Sequence, residues 1–101
     1  MHYLLMYKTA SDYLARRADF RAGHLAYAWD AVERGELILG GAMGDPIDGA
    51  MLLFSADSPA IPSAFAKNDP YVINGLVESW VVKPWSTVVG RDATSPIRER
   101  R

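Results

Sequence analysis

The sequence predicts an α+β fold with the element order βαββαβ. Three observations support this prediction: residues 12–34 repeat apolar residues at steps of three and four, a serine–proline pair begins a second helical segment, and short apolar runs, separated by glycine and proline residues, flank these two segments. The chain has 101 residues, of which 50% are hydrophobic. A chain of this length buries roughly 65% of the surface of its unfolded state, which is sufficient for one core without disulfides.

The first strand and the first helix are predicted before Gly35. Residues 3–7 are aromatic and apolar, which is typical of a buried strand. Ser11 is a suitable N-cap for a helix over residues 12–34, and Gly35 is a suitable C-cap. A turn at residues 16–19 would instead divide this helix before Phe20.

Two strands and a turn follow the first helix. Residues 36–39 predict the second strand and residues 50–54 the third. The glycines and Pro46 in residues 40–49 predict a loop or a bent strand end. Asp45 and Asp48 have the spacing of a hairpin turn and do not match a calcium loop, so we expect no metal site there.

A second helix and a fourth strand complete the domain. Ser58 is a suitable N-cap for a helix with Pro59 at its first position, and Pro70 disfavours helical backbone at Asp69, so the helix should end near Asn68. Residues 76–82 predict the fourth strand, which Pro84 should end. We expect a domain of residues 1–86 and a charged, partly mobile C-terminal extension of residues 87–101.

This element order is that of the ferredoxin-like fold, in which helices cover one face of a four-stranded antiparallel sheet. The predicted strands are apolar on both sides, so the uncovered face should not contact water. A second copy of the chain, packed sheet against sheet, is the simplest cover. We therefore expect a homodimer.

Composition excludes several classes of protein. Eleven basic and twelve acidic residues give a net charge of −1, which argues against binding to nucleic acid. No run of apolar residues is long enough to cross a bilayer, and the N-terminus lacks the features of a signal peptide. The chain has no cysteine, so a thiolate zinc site is excluded and a reducing cytoplasm is the expected location.

His24 and Asp69 are the candidate catalytic residues, since a histidine and a carboxylate suffice for proton transfer near neutral pH. Arg21 lies one turn before His24, and this pair on an otherwise apolar helix face indicates an anion-binding or acid–base site. Purely structural roles remain open, because histidines on helices and aspartates before proline are both common. We interpret two further groups as structural: a surface pair, Arg16 and Arg17, and core or dimer-interface tryptophans, Trp29, Trp80 and Trp85.

Residues 21–27, 35–41 and 69–76, in this order and spacing, resemble the YCII-related family. The resemblance implies a dimeric α+β barrel, in which two ferredoxin-like sheets face each other. It also implies that His24 and Asp69 form an active-site pair and that Arg21 lines the same pocket. The chain has Gly41-Ala42-Met43 where a glycine–proline pair is often seen in the family, which affects the shape of the pocket. We expect four residues to contact substrate: Arg21, Tyr71, Gly41 and Met43.

The sequence thus supports two functions from different classes. The first is a small enzyme, without cofactor or metal, that moves protons as a lyase or isomerase on a small polar or aromatic, anionic substrate. His24 would be the general base and Asp69 its orienting partner. The second is a non-catalytic dimeric module that binds a small ligand or serves as an accessory domain.

Overall fold

A four-stranded antiparallel sheet forms one layer of the protein, as the sequence predicts. The computed structural model describes residues 1–99, and its strands are β1 (His2–Thr9), β2 (Leu37–Gly44), β3 (Ile47–Ser55) and β4 (Val77–Trp85), in the order β2-β3-β1-β4. The helices are α1 (Tyr13–Glu33), α2 (Ala60–Asn68) and the short α3 (Pro70–Ile73). None of them is long and apolar enough to cross a membrane.

Helix α1 is continuous, so the possible interruption before Phe20 does not occur. The prediction of Ser11 as N-cap is wrong, because Asp12 precedes the helix and its side chain makes no capping hydrogen bond. The carboxylate of Asp12 instead lies 3.7 Å from the guanidinium of Arg16, one turn later. At the other end Gly35 has the left-handed backbone (φ 77°) of the expected C-terminal glycine.

The segment predicted as a loop or bent strand end is a regular hairpin. Strands β2 and β3 continue on both sides of the turn at Asp45 and Pro46, and Gly40 and Ala42 pair with residues of β3. Strand pairing uses backbone N–H and C=O groups, which glycine also provides. The weak preference of glycine for strands therefore did not end β2. The hairpin turn expected around Asp45 is confirmed.

Helix α2 ends at Asn68 as predicted, since Asp69 has extended backbone (ψ 126°). Helix α2 begins one residue later than predicted, because Pro59 is its N-cap and Ser58, the predicted cap, precedes it. The Ser58 hydroxyl accepts a hydrogen bond from the backbone N–H of Ala60, the first residue of the helix. The short helix α3 is not predicted. Pro84 lies within β4 rather than ending it, because β4 is an edge strand and its outer N–H groups need no partner in the sheet.

The two faces of the sheet differ in their cover. Alternation along β1 directs Tyr3, Leu5 and Tyr7 towards the helices, where all three are buried. The opposite side, here called the open face, carries apolar side chains that no helix of residues 1–99 covers. These side chains are Leu4, Met6, Met51, Leu53 and Val81.

Part of the predicted C-terminal extension contacts the start of the sheet. Thr87 is buried, and its hydroxyl forms a hydrogen bond of 2.8 Å with Nδ1 of His2. The backbone N–H of Thr94 donates to the same hydroxyl. The last two residues of the predicted mobile extension, 100 and 101, lie outside the described residues.

Candidate active site

The structure brings the predicted pair together between the helices. Nδ1 of His24, in the middle of α1, lies 2.7 Å from Oδ1 of Asp69, which joins α2 to α3. The two residues are 45 positions apart, so only the packing of α3 against α1 makes this contact. The end of α2 before Asp69, as expected, therefore also places the Asp69 carboxylate beside His24.

Asp69 is completely buried, and three donors surround its carboxylate. Oδ1 accepts from His24 and from the backbone N–H of Tyr71 at 3.0 Å, while Oδ2 accepts from the hydroxyl of Tyr7 at 2.7 Å. A buried charge is tolerated when it is hydrogen-bonded in this way. The carboxylate is thus held in one orientation.

Tyr7 is a site residue that sequence reasoning missed. Burial and the neighbouring Asp69 carboxylate raise the pKa of Tyr7 far above its ordinary value. The hydroxyl therefore stays protonated and donates a hydrogen bond to Asp69. The alternation of residues 3–7 places Tyr7 on the helix-facing side, which is a usable signal. The partner of its hydroxyl, however, comes from a distant loop and could not be predicted from that alternation.

The ring of His24 is fixed on a second side by Tyr71. The two rings are stacked, with centroids 3.9 Å apart and planes 8° from parallel. When the carboxylate of Asp69 accepts a hydrogen bond from Nδ1–H, the lone pair of the neutral imidazole lies on Nε2. Nε2 makes no hydrogen bond to a side chain or backbone group of residues 1–99, and the ring lines a pocket.

This pocket lies between α1 and the sheet and has a volume of about 400 Å³, within the ordinary range of small-molecule sites. Of the predicted contact residues, Arg21, Tyr71 and Gly41 line the pocket together with His24. Met43 does not line it. Alternation along β2 puts Met43 on the open face, opposite Gly49, and its contact with substrate stays a prediction.

Two further lining residues had been interpreted as structural. Arg17 lies one turn before Arg21 and lines the pocket, although the sequence suggested a solvated surface pair. Trp29 also lines the pocket and is 63% exposed, so it belongs to neither the core nor the open face. Arg17 precedes Arg21 by four residues and Trp29 follows Leu25, another lining residue, by four, a spacing that was available in the sequence.

Tyr71 is affected by the same arginines. Burial and the neighbouring Tyr13 raise the pKa of Tyr71 to about 12, and the positive charges of Arg21 and Arg17 partly oppose this rise. Tyr71 is therefore neutral at physiological pH.

Within residues 1–99, no group of three or more histidine, aspartate or glutamate side chains is arranged to hold a metal ion.

Solved structures with this fold include an enzyme. The chain is similar to 5-chloro-2-hydroxyhydroquinone dehydrochlorinase (TftG) from Burkholderia phenoliruptrix, solved in complex with 2,5-dihydroxybenzoquinone, at 27% identity and a TM-score of 0.72. The match covers 86% of this chain and 95% of TftG. Protein Atu4242 from Agrobacterium tumefaciens matches at 15% identity and a TM-score of 0.48, over 93% of this chain and 98% of that one.

The family assignment depends on the sequence of the whole domain. No curated protein matches the chain significantly. The profile of the YCII-related domain matches residues 1–86, which include every strand and helix of the structure. The chain therefore belongs to the YCII-related family.

Proposed function

We propose that the protein is a small enzyme that transfers a proton on a small aromatic or polar anion, in a lyase or isomerase reaction that needs no cofactor. The observation that carries this proposal is the 2.7 Å contact between His24 and a fully buried Asp69 at the wall of a pocket. A histidine oriented by a carboxylate is a general base suited to neutral pH.

In the proposed mechanism Nε2 of His24 removes a proton from the bound substrate. The electron pair of the broken C–H or O–H bond forms a double bond, and in a lyase reaction the leaving group departs with its own electron pair from a saturated carbon, either the adjacent one or one reached through a shifting C=C bond. A chlorinated quinol enters this step as its keto tautomer, in which the carbon that carries chlorine is saturated. Asp69 stabilises the imidazolium that forms, as the carboxylate does in other acid–histidine pairs. The hydrogen bond from Tyr7 keeps Asp69 aligned with His24 throughout.

The similarity to TftG supports a ring-shaped substrate. TftG is described as a dehydrochlorinase, and its bound ligand is a dihydroxylated quinone. The stacked rings of His24 and Tyr71 both line the pocket, and Arg21 offers a positive charge to a phenolate or carboxylate. We include such hydroxylated rings among the proposed substrates.

We also propose that the protein is a homodimer in which the open faces of two copies pack together. The support is the row of partly exposed apolar side chains across β1, β3 and β4, among them Leu4, Met6 and Leu53. Contiguous apolar surface of this kind usually marks an interface. The same packing of two sheets is expected of a dimeric α+β barrel.

Chloride release from 5-chloro-2-hydroxyhydroquinone tests the enzymatic proposal. We expect the wild-type protein to release chloride, and His24→Ala and Asp69→Asn to lower the rate by roughly 10²–10⁴-fold, the usual contribution of a general base. Asp30→Asn is the matched control, since Asp30 is exposed on the same helix and does not line the pocket. A loss below tenfold in a folded His24→Ala protein would contradict the assignment of the base.

The alternative, a non-catalytic module that binds a small ligand, uses the same pocket. It predicts that 2,5-dihydroxybenzoquinone perturbs the NMR signals of α1 while neither the chlorinated quinol nor other small phenols and lactones are converted. Binding with turnover that depends on His24 would exclude this alternative.

A further inference from the structure

We infer that the pocket binds an amphipathic organic acid, with its anionic group between Arg17 and Arg21 and its apolar body beside Leu25 and Trp29. The pocket has two chemically different ends, and His24 lies between them on α1. The order of binding groups is therefore anion, reacting atom and apolar body. Only the position of the reacting atom rests on the proposed function, because the two ends exist independently of any catalysis.

The cationic end consists of two arginines whose charges are not neutralised. Arg17 and Arg21 lie one turn apart, and within residues 1–99 neither forms an ion pair or a hydrogen bond to a side chain. By contrast, Arg16 and Arg34 pair with Asp12 and Glu36. The guanidinium of Arg17 lies over the ring of a third lining residue, Tyr13, at 5.9 Å.

No aspartate or glutamate of residues 1–99 lines the pocket, so its net charge is positive. Guanidinium groups bind carboxylates through paired hydrogen bonds, which favours a planar anion over a spherical one. Two such groups on one helix face make the head of the ligand a carboxylate or a phenolate. A neutral group in the same place would leave both charges uncompensated.

The apolar end consists of side chains that remain accessible beside the pocket. Leu25 is 39% exposed and Trp29 is 63% exposed, and the facing wall contains Leu37 and Ile38 of β2. Large apolar side chains in this number beside a pocket are typical of a binding surface rather than of a solvated helix. A ring or a short aliphatic chain would bury them.

Chain connectivity explains why the two ends are separate. Residues 10–12 link β1 to α1, so Thr9 lies beside the N-terminal half of α1 and its arginines. Residues 34–36 link α1 to β2, so the first residues of β2 lie beside the C-terminal half and Trp29. Trp29 follows Arg21 by eight positions, which is about 12 Å along a helix and fits one ring and a short linker.

The position of His24 then limits the reacting atom. His24 lies three residues from Arg21, a rise of about 4.5 Å along the helix. For a ligand held by the arginines, the reacting carbon therefore lies nearer the carboxylate than the far end of the apolar body. Removing a proton there builds negative charge next to the arginines, which stabilise it.

Binding of three matched ligands tests this inference without requiring turnover. The probes are 3-phenylpropionate, its neutral amide 3-phenylpropanamide, and acetate, which has the anion but no apolar body; titration calorimetry and NMR give the dissociation constants. We expect the acid to bind at least tenfold more tightly than the amide and than acetate. Arg17→Gln and Arg21→Gln should each remove most of the preference for the acid, whereas Arg16→Gln, the adjacent and ion-paired arginine, should retain it.

The apolar end is tested by Trp29→Ala. We expect it to weaken binding of the acid and of the amide by a similar factor, on the order of tenfold, with acetate unaffected, while Leu14→Ala on another face of α1 leaves all three constants unchanged. Equal affinity for acid and amide, or equal effects of Arg16→Gln and Arg17→Gln, would overturn the inference. A protein that shows this preference but no proton transfer would contradict the proposed function alone, and an active protein without it would contradict this inference alone.

Discussion

At the scale of single residues, Asp69 combines structural and chemical roles. It ends α2, its carboxylate caps α3 through the N–H of Tyr71, and it orients His24. The sequence predicted His24, Asp69, Arg21 and Tyr71 as neighbours because the short segments around them resemble those of the YCII-related family. Tyr7 was missed because its role depends on an oxygen atom 62 positions away, and no local pattern specifies that contact.

Tyr7→Phe should lower the free energy of unfolding by about 1.5–3 kcal/mol, because it leaves an oxygen of a buried carboxylate without a donor. Urea unfolding measures this change. The control is Tyr27→Phe, which removes a hydrogen bond to a neutral carbonyl, that of Phe65, and should cost about 1 kcal/mol. An equal or smaller loss for Tyr7→Phe would contradict the hydrogen bond to Asp69.

The raised pKa of Tyr71 predicts that the free energy of unfolding falls at alkaline pH. The unfolded chain releases tyrosine protons near pH 10, whereas Tyr71 in the folded protein keeps its proton until about pH 12. The unfolded state therefore binds fewer protons between these values, and the free energy of unfolding falls as the pH rises through this window. Urea unfolding from about pH 9 to about pH 11 should show a shallower fall for Tyr71→Phe. Identical slopes for the two proteins would contradict the raised pKa.

At the scale of elements, periodicity located each long strand and helix but not all their ends. The hairpin of β2 and β3 is longer than predicted because its glycines contribute backbone pairing without side-chain signals. Pro84 was read as a strand end because sequence alone does not say that β4 lies at an edge. The short helix α3, which packs against α1 at the site, was not predicted, although His24 and Asp69 were expected to meet.

Gly23 gives a prediction for α1. A Cβ atom at this position would come no closer than 3.9 Å to another residue, the side chain of Pro70, so alanine fits there. Gly23→Ala should raise the free energy of unfolding by about 0.5–1 kcal/mol through helix propensity, as measured by urea unfolding. Destabilisation would show that α1 must approach α3 more closely than this structure indicates.

At the scale of the whole molecule, the open face predicts self-association. Wild-type protein should have about twice the 11.2 kDa mass of the chain in light scattering. Met6→Glu places a charge in the middle of the open face, beside Met51 and Val81, and should give a monomer. Leu14→Glu, at a 52% exposed position on α1, should leave the mass unchanged. A monomeric wild-type protein would contradict the proposed interface.

The central claim is that Asp69 leaves His24 with an unprotonated Nε2 at the pocket wall. Long-range ¹H–¹⁵N NMR of the imidazole rings tests it directly, because the chain has only two histidines and His24→Gln assigns their signals. At about pH 8.5, where histidine is neutral in the ordinary case, we predict a proton on Nδ1 of His24 and none on Nε2. Asp69→Asn should reverse this pattern, since the amide can donate to Nδ1. A proton on Nε2 in the wild-type protein would contradict the proposed general base.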